Sequence, residues 1–171
     1  MTFLVSLIAF FVALVGQTLT PASSTAGPCT GARLSGGFSV VRGSAGAGNI
    51  SYRLALRNGS SVTCTVTGLP QGRLLSKAGK PLPTHVKAAV PGALSAVLVR
   101  LAPGERAYAT ARFSPDVPGV GEPVAGHRCE PTSYWFRVTA PGGGTTKVKV
   151  APPTPVCEHG RLLFSAFGPK P

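Results

Sequence analysis

The chain has 171 residues, with 17 Lys and Arg against 5 Asp and Glu, for a formal net charge of +12. Gly and Pro are abundant, and Val, Thr, Ser and Ala outnumber Glu, Lys and Gln, a bias toward strands and turns over helices. Its length allows one domain with a proper core and excludes two, while the scattered acids Glu105, Asp116, Glu122, Glu130 and Glu158 indicate no paired-carboxylate active site.

Phe3 to Val15 form an apolar run broken only by Ser6. This is signal-peptide length, short of the roughly 20 residues a membrane-spanning helix requires. Small residues at Ser24 and Ala26 suit cleavage, so residues 1–26 are expected to be a signal peptide and 27–171 a single mature domain. Met1-Thr2 lacks Lys and Arg, which leaves an uncleaved N-terminal anchor as the alternative. Because the segment carries no charged side chain, the whole cationic excess belongs to the mature domain.

From Ile50 to Arg57, apolar Ile50, Tyr52, Leu54 and Leu56 alternate with Ser51, Arg53, Ala55 and Arg57, which predicts a strand buried on one face. Asn58-Gly59-Ser60 reads as a turn despite matching a glycosylation sequon. Ser61 to Thr67 continues the alternation and turns Cys64 inward with Val62 and Val66. Further strands are expected at Gly72–Leu75, His85–Val90, Ser95–Leu101 and Glu105–Phe113, with turns at Lys77–Lys80 and Ala102–Glu105. Ser114 to Arg128 has no period and is the longest predicted loop. Ser133–Ala140, Thr145–Val150 and Arg161–Phe167 complete the set. The expected fold is all-β, an immunoglobulin-like antiparallel sandwich of seven to nine strands.

Four cysteines in an exported chain imply disulfides, and three connectivities exist. Cys29–Cys64 and Cys129–Cys157 are favoured, because each joins a strand-flanking loop to a nearby strand without crossing the domain.

Several segments together carry a resemblance. They are the early Cys29, Leu54 to Asn58 leading to Cys64-Thr-Val-Thr-Gly68-Leu-Pro70, Leu101-Ala-Pro-Gly104, Cys129-Glu-Pro131 before an aromatic strand, and Val156-Cys157 before the last strand. In this order they resemble the actinobacterial domain-of-unknown-function family 4232, over about Cys29 to Phe167. The resemblance implies an immunoglobulin-like sandwich with paired cysteines and an envelope location, and it brings no catalytic residues. Arg57 and several other arginines make this chain more basic than the family pattern.

His127-Arg-Cys129 and Cys157-Glu-His159 form a mirrored set of zinc-ligand types. A single intervening residue is shorter than the usual chelating spacing, and export favours oxidation, so a disulfide flanked by exposed histidines is expected. A zinc- or thiol-dependent enzyme built on His127, Cys129, Cys157 and His159 is the alternative. No G-x-S-x-G elbow is present and no cofactor is expected.

The basic residues suggest a surface. Arg53 and Arg57 share one outward strand face, Arg137 lies on the same side of its strand as Trp135, and Lys147 and Lys149 share theirs. If these strands are neighbours, they form a cationic sheet face suited to an anionic envelope polymer, lipid headgroups or an acidic protein. Compartment and the lack of aromatic interleaving on a recognised motif argue against nucleic acid. A secreted, envelope-associated, non-enzymatic binding or structural module is therefore expected.

Overall fold

The computed structural model describes residues 25–92, 97–123 and 129–170. The expected signal peptide lies outside the described residues but for its last two positions, as do His127 and the first two residues of the Ser95–Leu101 strand.

Ten strands follow in order: β1 Leu34–Val40, β2 Ile50–Asn58, β3 Cys64–Val66, β4 Gln71–Leu75, β5 His85–Ala88, β6 Val99–Leu101, β7 Arg106–Phe113, β8 Ser133–Thr139, β9 Thr145–Thr154 and β10 Arg161–Phe164. A 3-10 turn, Gly31–Arg33, precedes β1. Eight strands form one sheet in the order β4-β8-β9-β1-β2-β7-β10-β5, and β3 pairs with β6 in a second, small sheet. The β1–β9 and β5–β10 pairs run parallel, and the other ladders are antiparallel.

The large sheet is folded over on itself. Phe136 of β8 and Phe164 of β10 stand five strand spacings apart in the sheet, which would be about 24 Å if it were flat. Their ring centroids are 5.8 Å apart. Phe38 of the central β1 lies 5.5 Å from Phe136 and 5.8 Å from Phe164, so it fills the space where the two halves meet. The result is an all-β, sandwich-like body with one aromatic centre.

The expected alternation of β2 is present: Tyr52, Leu54 and Leu56 are buried, while Arg57 is exposed and Arg53 half-buried. Ala107, Ala109 and Ala111 of β7 are buried opposite Leu56, Leu54 and Tyr52 respectively, so small residues sit beside large ones in register. Asn58 is fully buried; its Nδ2 donates to the Val62 and Leu101 carbonyls, and its Oδ1 accepts from Ser60. The sequon asparagine is thus consumed by the turn it closes.

Both disulfides join the expected partners, Cys29 to Cys64 and Cys129 to Cys157. The first fixes the segment before β1: the Cys29 N–H donates to Thr65 O, and the Thr65 N–H to Gly27 O. The second links the end of the long loop to a turn at Cys157–Gly160.

Candidate functional site

Two regions concentrate charged chemistry. The first is the outward face of the large sheet, whose strand order brings the expected cations near one another. In register, Lys149 of β9 stands beside Gly37 of β1, which stands beside Ala55 of β2. Two residues either way along β1, Ser39 pairs with Arg53 and Ser35 with Arg57. Period-two alternation turns Ser35, Gly37 and Ser39 away from buried Phe38. The β1 floor is therefore two hydroxyls and a glycine. Lys147 and Lys149 rise on one side and Arg53 and Arg57 on the other, two strand spacings or about 10 Å apart. No atom lies within 4 Å of where a Gly37 Cβ would stand, so the floor is open.

Cations continue beyond the β9 wall. Arg137 of β8 is directly opposite Lys147 and also opposite Arg73 of β4, making a row of three cations across adjacent strands. Like charges directly opposite each other destabilise a sheet. The Lys147 ammonium lies 4.6 Å from the centroid of the Trp135 ring, which holds it against the indole face. Among the described residues, the ion pairs are Arg161–Glu158 and His159–Glu122, and neither involves this face. The Arg53 Nε is buried without a hydrogen-bond partner. Of the five expected anion-binding residues, Arg137, Lys147 and Lys149 lie on the adjoining strands β8 and β9, while Arg53 and Arg57 lie on β2, which β1 separates from β9. Arg73 of β4 extends the set, from a segment, Gly72–Leu75, too short to show an outward face in its sequence.

The second region surrounds the Cys129–Cys157 disulfide. In the turn Cys157–Gly160, Glu158 (φ 56°), His159 (φ 58°) and Gly160 (φ 77°) are all left-handed. Two non-glycine residues in that conformation are costly and persist only where their surroundings impose it. A Cβ on Gly160 would run into the Pro83 carbonyl, so glycine is required there.

The imposing group is Glu122, whose side chain is 1% exposed. Its carboxylate accepts from the backbone N–H of Gly119, Glu158 and His159. Burial opposes its ionisation, yet the three N–H donors and the nearby His159 outweigh that and hold its pKa below the usual value. The His159 Nε2 is 3.0 Å from the Val120 carbonyl, and Nδ1 faces Glu122 at 3.8 Å. Glu130, next to Cys129, has its pKa raised by burial, by the charge of Glu122 and by hydrogen bonding to it.

Glu122, Glu130 and His159 each offer an oxygen or nitrogen within 4.8 Å of the others, which is metal-ligand proximity. Both Glu122 oxygens already accept backbone N–H groups, so a cation there would compete with the fold. The sulfurs of Cys129 and Cys157 are bonded to each other, and neither is a thiolate. The grouping of Glu122 with Glu130 corrects the expectation of isolated carboxylates. Its signal was the position of Glu130 and His159 beside two cysteines that pair.

A pH effect follows from Glu130. With its folded pKa raised, its contribution to stability is full below the unfolded value near 4.3 and is lost as pH rises through the folded value. Glu130→Gln is expected to be slightly more stable than the parent at pH 7 and equal to it at pH 3.5. Urea denaturation at both values checks this, and a variant less stable at pH 7 contradicts it.

A family model described as "Domain of unknown function (DUF4232)" matches residues 29–168, and the chain belongs to that family. Searches of curated proteins and of solved structures found no match.

Proposed function

We propose that this domain is a non-enzymatic binding module of the cell envelope, and that its outward sheet face takes an extended anionic polymer. The observation that carries this reading is the open Ser35-Gly37-Ser39 floor between Lys147 and Lys149 on one side and Arg53 and Arg57 on the other. A linear phosphate- or carboxylate-bearing chain laid along β1 would meet cations on both sides and hydroxyl donors beneath. It would also relieve the repulsion among Arg73, Arg137 and Lys147. Two disulfides suit an oxidising extracytoplasmic compartment. No described helix is long and apolar enough to cross a membrane.

The polymer is favoured over lipid headgroups and over an acidic protein by shape, because the cations flank a lengthwise trough. Retention of the protein on immobilised poly(glycerol phosphate) tests this. Binding is expected at 50 mM NaCl and to be largely lost by 500 mM, where screening shortens electrostatic reach to about 4 Å. Gly37→Glu places a carboxylate in the floor, where the Cβ meets no neighbour, and it should reduce retention at 50 mM at least tenfold. Salt-independent retention, or full retention by a folded Gly37→Glu protein, would sink the reading. A Gly37→Ser variant controls for the loss of glycine and should bind as the parent does.

A further inference from the structure

We infer that the domain carries a second, discrete anion site, a pocket for a phosphomonoester group at the end of the sheet where β2 finishes and β7 begins. The inference goes beyond the polymer trough and shares only Arg57 with it. A cavity of about 350 Å³ opens there, lined by Arg100, Gly104, Glu105, Arg106, Tyr108 and Pro169. That is ample for a phosphoryl group and its first carbon atoms.

Two arginines from two elements line this cavity, and a third lies beside it. Arg106 begins β7 and Arg100 comes from the middle of β6, and both line the wall. Arg57 near the end of β2 is the direct cross-strand partner of Arg106. Its Nη2 lies 3.3 Å from where a Gly104 Cβ would stand, so the missing side chain lets the guanidinium lie over the turn. Gly104 is also left-handed, with φ 85°, so the tight turn and the close approach ask for the same residue.

The nearest acid, Glu105, forms no ion pair with them and leaves the cavity a net cationic wall. The Glu105 Oε2 accepts the Ala102 N–H at 2.8 Å and closes its own turn. Among the described residues, no carboxylate lies within 4.0 Å of Arg57, Arg100 or Arg106. Two arginines directly opposite each other on neighbouring strands cost stability, and a third beside the same cavity adds to the repulsion. A dianion lodged between them removes that cost. Planar guanidinium forks match the oxygens of a phosphoryl group two at a time, and the Tyr108 phenol is a further donor type in the wall. A phosphomonoester therefore fits better than a carboxylate, which brings one charge and two oxygens to the two lining forks and the Arg57 charge beside them.

Glycerol 3-phosphate and inorganic phosphate, titrated at low ionic strength into the full domain and followed by amide NMR shifts, test the assignment. Saturable shifts are expected at Gly104, Glu105 and Tyr108. Affinity should rise between pH 5 and pH 8 as the second phosphate ionisation, with pKa about 6, completes. Acetate should bind at least tenfold more weakly. Arg100→Ala and Arg106→Ala should each weaken phosphate at least tenfold, and Arg106→Lys should fall between Arg106→Ala and the parent, since charge remains but the fork is lost. Both sites are exposed, and thermal unfolding confirms that each variant is folded. Non-saturating shifts spread over all basic residues, acetate binding as tight as phosphate, or parental affinity in folded Arg106→Ala would overturn the pocket. Gly37→Glu separates the two sites: it should reduce polymer retention at least tenfold and leave glycerol 3-phosphate affinity within about twofold. Loss of both in that variant would overturn the separate site.

Discussion

Replacing Cys29 and Cys64 together with alanine is expected to lower the unfolding free energy by about 4 kcal/mol in the chain-entropy account. The bond closes a loop of 35 residues, and its main effect is to deny the unfolded chain many conformations. Against a typical total of about 5–15 kcal/mol, such a loss is a large fraction of the stability of a domain this size. Native-state contacts add to it. Both cysteines are buried, and the bond fixes the Cys29 segment whose carbonyl accepts from Gly142, in the turn between β8 and β9. The same segment leads into β1, the strand that joins the two halves of the sheet. Urea unfolding followed through Trp135, the single tryptophan, measures the change. A loss under 1 kcal/mol would contradict this and show that the reduced chain is already as constrained as the oxidised one.

Much of this architecture could be read from the residues, and the exceptions have physical causes. β2 and β7 declared themselves because large or small apolar residues alternate with polar ones over eight or nine positions. β1 did not. Its sequence, Leu-Ser-Gly-Gly-Phe-Ser-Val, contains two glycines and two serines, so only Leu34, Phe38 and Val40 mark the inward face. Yet it is a central strand, and its small outward residues make the trough floor. The feature that hid the strand is the one that gives the proposed site its shape. The cationic face was legible because Trp135 and Arg137 share one strand and Lys147 and Lys149 the next, and sequence neighbours joined by a short turn become sheet neighbours. The Arg57–Arg106 contact was not, because it depends on β2 pairing with β7 across some fifty residues. The Glu122 cluster was hidden for a similar reason. It is assembled from two segments far apart in sequence, which the Cys129–Cys157 bond also joins.

Glu122 is expected to be the most stability-critical charged residue near that disulfide, with Glu122→Ala costing about 3 kcal/mol or more. Removing the carboxylate leaves three backbone N–H groups, those of Gly119, Glu158 and His159, without their acceptor in a part-buried turn, and a stranded buried donor costs about 1–3 kcal/mol. The total falls short of three such penalties because the turn can relax. It holds Glu158 and His159 in a left-handed conformation that nothing else in their local sequence favours. Glu122→Gln should cost less, since one amide oxygen can still accept while the NH2 group must face the remaining donors. The pH dependence has a definite sign. The Glu122 pKa is depressed in the fold, so its contribution is present above the unfolded value near 4.3 and is lost as pH falls through the lower folded value. Parent and Glu122→Gln stabilities should therefore differ most near pH 7, begin to approach each other below about pH 4.3, and converge only once pH has fallen past the depressed folded value. Removing Cys129–Cys157 in the same background separates the clamp from the staple. Both hold the Cys157–Gly160 turn, so their costs should sum to more than the double variant loses, a coupling of about 1 kcal/mol or greater. Strict additivity would mean that the carboxylate and the disulfide stabilise different parts of the domain, and the clamp reading would then be wrong.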